Sequence, residues 1–247
     1  MSTPPAIDWD AFDADIEALA LKRGFHFAAP PGAPFRAWRR PGPGRRIYLS
    51  AGIHGDEPAG PLAIRQILGE SWFATSDADW TICPALNPHG LRAGIRENAQ
   101  GIDLNRDYQR RESPEAAAHA AWLLDRPAPD LFLSLHEDWE TAGFYFYEIN
   151  LGPEASTRAQ AILAATSAII PTEPALVIDG HAVRQPGWIH HAAEADLPNE
   201  WPEAIFLAKN GCPLSFTFET PSQAPLEKRI ATHLAAVRTT IAAASGS

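Results

Sequence analysis

The sequence predicts an α/β fold, with helices packed on both faces of a mixed β-sheet. Two observations carry that expectation. Short, nearly continuous apolar runs recur along the chain, as strands buried in a sheet require. Stretches with helical spacing lie between them, and two are opened by a proline in the first turn, where its missing N–H costs nothing. No internal repeat or low-complexity segment interrupts the alternation. At 247 residues the chain is long enough for one large domain and short for two, so residues 1–247 are expected to form a single catalytic domain.

The elements follow in order. Residues 8–23 place Trp9, Phe12, Ile16 and Leu19 on one stripe with acids between them, a helix. Ala28 to Arg46 is rich in Pro, Gly and Arg and reads as loop. Arg46 to Ile53 (RIYLSAGI) reads as a buried strand, followed by a helix from Pro58 to about Gly69. Trp80 to Leu86 is a second buried strand, ending at the turn signal Asn87-Pro88-His89-Gly90. Ser113-Pro114-Glu115 opens a helix to about Leu124, with serine as its cap. Asp130–Leu135 and Phe144–Ile149 are further strands, and Glu154 to Ile170 is an alanine-rich helix. Residues 171–203 read as irregular. Leu214–Phe218 is a late strand and Pro225–Ala244 a closing helix.

Composition removes several classes of function. A formal charge of −10 argues against a general nucleic-acid binder, which would present a basic face. Proline is abundant, with 23 residues, and is scattered as rigid loops would scatter it. Cys83 and Cys212 are far apart, and two buried thiols are expected in preference to a disulfide. The start, Met1 to Asp10, lacks the pattern of a signal peptide, and no apolar run could span a bilayer. The expectation is a soluble, cytoplasmic protein. HExxH, GxxxxGK[ST] and G-x-S-x-G motifs are absent, and neither cysteine has a basic setting that would mark a nucleophile.

The polar residues that stand out sit where open α/β sheets place their sites, beyond the carboxyl ends of strands. The first strand ends at His54-Gly55-Asp56-Glu57, the third at His136-Glu137-Asp138, and the late one at Glu219. Zinc takes imidazole nitrogen and carboxylate oxygen in three-ligand catalytic sites, so His54, Glu57 and His136 form a candidate ligand set. Glu219 is the candidate general base. The segment Arg96–Arg106 (RENAQGIDLNR) adds two arginines and Asn105. Arginine grips a carboxylate at two points, and one near the metal can hold a developing oxyanion.

The ordered set His54-x-x-Glu57, Asn87-Pro-x-Gly90, Arg96, Asn105-Arg106, His136 and Glu219 resembles the zinc carboxypeptidase family. Its relatives include the murein peptide amidases and the aspartoacylase and succinylglutamate desuccinylase branch. The resemblance spans residues 46–220. HxxE alone is a common match, whereas the set with DLNR and FTFETPS is specific. The resemblance implies a three-layer α/β/α sandwich around a mixed, twisted sheet of about eight strands. It also implies one Zn2+ per chain on His54, Glu57 and His136, with Glu219 as base. Arg96 would polarise the scissile carbonyl, and Asn105 and Arg106 would hold the substrate carboxylate. One departure stands out: Gly187–Ala204 carries no tyrosine, where the digestive enzymes of the family have a mobile one.

Weaker features receive plainer readings. His26, His119 and His233 are expected at the surface, and His89 in a polar loop. His181, His190 and His191 could rim the pocket. A second metal on Glu137 or Asp138 is the lesser alternative to polar loop, and Tyr145 and Tyr147 are expected to serve sheet packing. The expected function is a metallopeptidase of carboxypeptidase type, acting on a small peptide beside its free carboxylate. The lack of a recognisable C-terminal β domain tilts the reading that way. The alternatives are an N-acyl amino acid amidohydrolase and a zinc- or peptide-binding module without turnover.

Overall fold

Successive side chains along the central strands point to opposite faces of the sheet, and that alternation sets the layers. The computed structural model describes residues 7–70, 77–153 and 156–244. Its strands are β1 (His26–Phe27), β2 (Arg36–Arg40), β3 (Arg46–Ala51), β4 (Asp79–Ala85), β5 (Leu131–Asp138), β6 (Tyr145–Asn150), β7 (Val177–Ile178), β8 (His181–Ala182), β9 (Trp188–His190) and β10 (Leu214–Pro221). Its helices are α1 (Trp9–Lys22), α2 (Ala59–Gly69), α3 (Pro88–Ala93), α4 (Pro114–Leu124), α5 (Ser156–Ser167), α6 (Glu203–Lys209) and α7 (Leu226–Ala244).

Eight strands form one mixed sheet in the order β1-β2-β4-β3-β5-β10-β6-β9, and β7 and β8 form a separate hairpin. The centre is parallel: β4, β3, β5 and β10 run together, while β2 and β6 flank them antiparallel. On one face Leu49, Leu133, Phe216 and Phe218 pack with Ile64 and Ile67 of α2, Phe12 and Ile16 of α1, Ile162 of α5 and Val237 of α7. On the other, Tyr48 and Phe132 pack with Trp122 and Leu123 of α4 and with Phe206 and Leu207 of α6. Strands covered on both sides must be apolar almost throughout, which explains the continuous runs. The expected three-layer sandwich and its eight-stranded mixed sheet are both present.

Several expectations need correction. The supposed loop 28–46 contains β2, whose Trp38 is buried while Arg36 and Arg39 reach outward to Glu17 and Asp79. Asn87-Pro88-His89-Gly90 opens a short helix and is more than a turn: Asn87 caps α3 by accepting from the Gly90 N–H. The irregular stretch 171–203 contains the short strands β7, β8 and β9, and Glu203 at its end starts α6. His119 and His233 lie on helices as expected, yet both are fully buried and not at the surface. His119 sits between the Tyr48 and Tyr108 hydroxyls at 2.9 and 2.7 Å, and His233 meets Thr220 at 3.2 Å. Burial holds both imidazoles neutral, each pKa lowered to about 3. Cys83 and Cys212 are free and buried, as expected. Residues Met1–Ala6, part of the N-terminal reading, and Glu154–Ala155, expected to open α5, lie outside the described residues. Among the described residues no helix is long and apolar enough to cross a membrane.

Candidate metal centre and active site

Strand alternation delivers the first part of the site. Leu131, Leu133 and Leu135 of β5 face one helical layer, so Ser134 and His136 face the other. The same parity in β10 turns Ser215, Thr217 and Glu219 to the face of His136. Register then aligns them, because Glu219 pairs with His136 on β5 and with Tyr145 on β6. Three chemically active side chains therefore stand in a row across three strands.

The second part comes from the turn after β3. His54 and Glu57 lie between β3 and α2, and the turn requires glycine at its centre. A Cβ on Gly55 would fall 1.9 Å from the carbonyl carbon of Gly90. The HGDE turn and the Asn-Pro-x-Gly turn thus pack backbone against backbone, which links two motifs distant in sequence. Asn87 continues the link by donating from Nδ2 to the Arg96 carbonyl at 3.2 Å, fixing the loop that carries Arg96.

The candidate ligands converge. Nδ1 of His54 lies 2.6 Å from Oε1 of Glu57, and Nδ1 of His136 lies 2.9 Å from its Oε2. One ligand atom from each of His54, Glu57 and His136 falls within 4.8 Å of the others, and all three residues are buried. Supporting bonds orient them, as metal-binding imidazoles and carboxylates require. The Asp103 carboxylate lies 3.1 Å from Nε2 of His54, and the Glu137 N–H donates to Glu57 Oε2 at 3.1 Å. Two imidazoles and one carboxylate with these orienting partners fit the donor set of a catalytic zinc.

Electrostatics reinforce the convergence. Burial works against a charge on His54, but Glu57 and Asp103 outweigh it and lift its pKa to about 9. Burial alone would raise Glu57, yet His54 and His136 hold it well below the ordinary carboxylate range. Both effects mark a site that attracts positive charge. Glu219 behaves oppositely: burial, then the charges of Glu57 and Asp138, push it well above the ordinary range, with Arg96 pulling back.

One pocket of about 670 Å³ is lined by all seven candidates: His54, Glu57, Arg96, Asn105, Arg106, His136 and Glu219. Arg96 is half-buried; its Nε donates to Asp103 at 3.0 Å and its Nη1 lies 3.6 Å from Glu57. Asn105 and Arg106 sit in a single 3-10 turn, Leu104–Arg106, capped by Asp103. Asn105 Oδ1 accepts the Glu203 N–H at the start of α6 at 3.0 Å, which leaves its Nδ2 to donate. Among the described residues Arg106 forms no ion pair, so its guanidinium is available to an anion.

Other residues fall differently. Glu137 is enclosed by the Arg229 guanidinium and the Ala59 N–H, and Asp138 accepts from the Tyr145 hydroxyl at 3.1 Å. Both carboxylates raised as second-metal ligands thus have protein partners. Tyr145 and Tyr147 pack together as expected, and both also form pocket wall beside Glu219. His181 and His191 line the pocket, whereas His190 is exposed and outside its lining. Two residues escaped the sequence reading. Asp103 was visible in DLNR but carried no assigned role, although it holds His54, Arg96 and the Asn105 N–H together. Glu203 is buried beside the pocket and accepts from Ser50 at 2.9 Å; the Pro202-Glu203 pair, an acid in a proline-led first turn, was its available signal.

The profile of the succinylglutamate desuccinylase/aspartoacylase catalytic domain matches residues 43–244. The chain belongs to that family. A structure from Shewanella denitrificans, provisionally assigned as a metallopeptidase, superposes with TM-score 0.81 at 25% identity, covering 96% of this chain and 90% of that one. A succinylglutamate desuccinylase from Silicibacter sp. superposes with TM-score 0.56 at 18% identity, covering 85% of this chain and 60% of that one, and shares the fold. Carboxypeptidase 2 of Trichophyton tonsurans is 30% identical over an alignment of 105 residues that covers 37% of this chain and 18% of that protein. The chain therefore spans only a small part of the curated relatives it matches. Membership of the succinylglutamate desuccinylase/aspartoacylase catalytic-domain family supports an enzyme.

Proposed function

We propose that this family member is a zinc-dependent peptidase of carboxypeptidase type, built as one catalytic domain, that hydrolyses a peptide or amide bond next to a free carboxylate. The observation that carries the reading is the convergence of His54, Glu57 and His136 with Glu219 in register beside them, inside a pocket that also holds Arg96 and Arg106. His54, Glu57 and His136 would hold one Zn2+. When bound, the ion polarises the scissile carbonyl and acidifies the attacking water. Glu219 takes the water's proton and passes it to the leaving nitrogen. Arg96, its guanidinium plane fixed by Asp103, donates to the oxygen on which negative charge develops. Arg106 and the Nδ2 of Asn105 grip the substrate carboxylate and so hold the reacting bond inside the pocket.

The family match favours a second reading with the same parts, an amidohydrolase that releases an acyl group from an N-acyl amino acid. Both readings retain the carboxylate grip and differ in what lies on the acyl side. Parallel assays of short peptides and N-acyl amino acids separate them by kcat/KM. One zinc per chain in the parent, and none in the His54→Ala, His136→Ala double variant, is the expected metal content. Glu219→Gln should bind zinc like the parent and lose about 10²–10⁴-fold or more in kcat. Substantial residual turnover there would remove Glu219 from the mechanism.

A further inference from the structure

A second cluster with metal-binding chemistry lines the same pocket, on residues separate from the His54 centre. It is built by β8 and by the segment following β9. His181 Nε2 lies 3.3 Å from Oδ2 of Asp196, and His191 Nε2 lies 4.0 Å from its Oδ1. The two imidazole rings meet edge to face with centroids 4.7 Å apart, and one ligand atom from each residue falls within 4.8 Å of the others. Ligands bound to one zinc at about 2.0–2.2 Å stand roughly 3–3.5 Å apart, so small rotations close this set around an ion.

The imidazoles are prepared for that role. His191 Nδ1 donates to the Ala192 carbonyl, which fixes the tautomer and leaves the lone pair on Nε2, the atom facing Asp196. Burial, then the neighbouring His181, holds the His191 pKa below its usual value. Tyr147 supports both rings from beneath, at 5.8 and 5.9 Å between centroids.

We infer that His181, His191 and Asp196 form a second divalent transition-metal site, which clips the β7–β8 hairpin to the segment after β9. The ion would pin one wall of the pocket. Its ligands are more exposed than those of the inner centre, so it binds more weakly. Its existence does not depend on the reaction assigned to the inner centre.

Metal-free, untagged protein titrated with Co2+ tests this, with stoichiometry read from d–d absorption and from calorimetry. The parent should take up a tight and a weaker equivalent. The His54→Ala, His136→Ala variant should keep only the weaker one. Asp196→Asn, at an exposed position, and His181→Ala should each weaken the second equivalent by at least about 10–100-fold, the cost of disturbing even an orienting partner, while the first is unaffected. The second equivalent should also slow amide exchange across residues 177–196. Saturation of the parent at one equivalent overturns the inference, as does a second equivalent indifferent to both Asp196→Asn and His181→Ala. Tight binding that survives loss of His54 and His136 would instead overturn the inner assignment.

Discussion

Glu203→Gln should make the protein more stable at pH 8 than its parent while changing little at pH 5. The Glu203 carboxyl is buried at the first turn of α6, accepts from Ser50, and has no hydrogen-bond partner for Oε1. Burial raises its pKa from 4.5 to about 7, with Ser50 and Tyr48 partly opposing. A carboxyl with a raised native pKa is bound more tightly by protons in the folded state. Its stabilising effect is therefore complete below about pH 4.5 and is lost progressively as pH rises to about 7. At 1.36 kcal/mol per pH unit, the loss comes to about 3 kcal/mol. His119, 4.0 Å away, is neutral throughout this range and does not offset it. Glutamine keeps an acceptor for Ser50 and removes the titration. Urea denaturation of parent and variant at pH 5 and pH 8, each with metal saturated, measures the effect as a difference of differences, so other titrating groups cancel. A variant-minus-parent stability that is the same at both pH values would refute the reasoning.

Two further perturbations address the inner site. Asp103→Asn should weaken metal binding about 10–100-fold, because the partner of His54 Nε2 is altered; competition with a chromophoric chelator measures it, and unchanged affinity would deny Asp103 its orienting role. Gly55→Ala should lower the melting temperature and the metal content together, since the new Cβ would sit 1.9 Å from backbone that cannot rotate away. Overpacking of this kind costs about 1–3 kcal/mol or more, and a variant with parental Tm and full metal would show that the two turns part freely.

What could be read in advance followed from how local each signal was. β3, β4 and β5 announced themselves because a strand covered on both faces leaves little room for polar residues. β2 did not, because Arg36, Arg39 and Arg40 hide Trp38 within a charged stretch near the sheet's edge. α6 spans seven residues and lies among prolines and tryptophan, too short for a periodic pattern to emerge. The seven site candidates were legible as motifs, and the structure brings all of them to one pocket. Burial of His119 and His233 was not legible, because their partners Tyr48, Tyr108 and Thr220 come from elements that only tertiary packing brings close. The same holds for Asp103, whose place is set by His54, 49 residues earlier.

The position of β10 has a consequence for how the enzyme comes into being. This strand is among the last elements in the chain, yet it lies between β5 and β6 near the middle of the sheet. During synthesis from the N-terminus, His54, Glu57 and His136 leave the ribosome well before Glu219. A nascent chain can thus present the three proposed metal donors while the strand that carries the proposed base is still unmade. On the proposed mechanism, the pocket gains its base only once β10 has been made and has paired with β5 and β6.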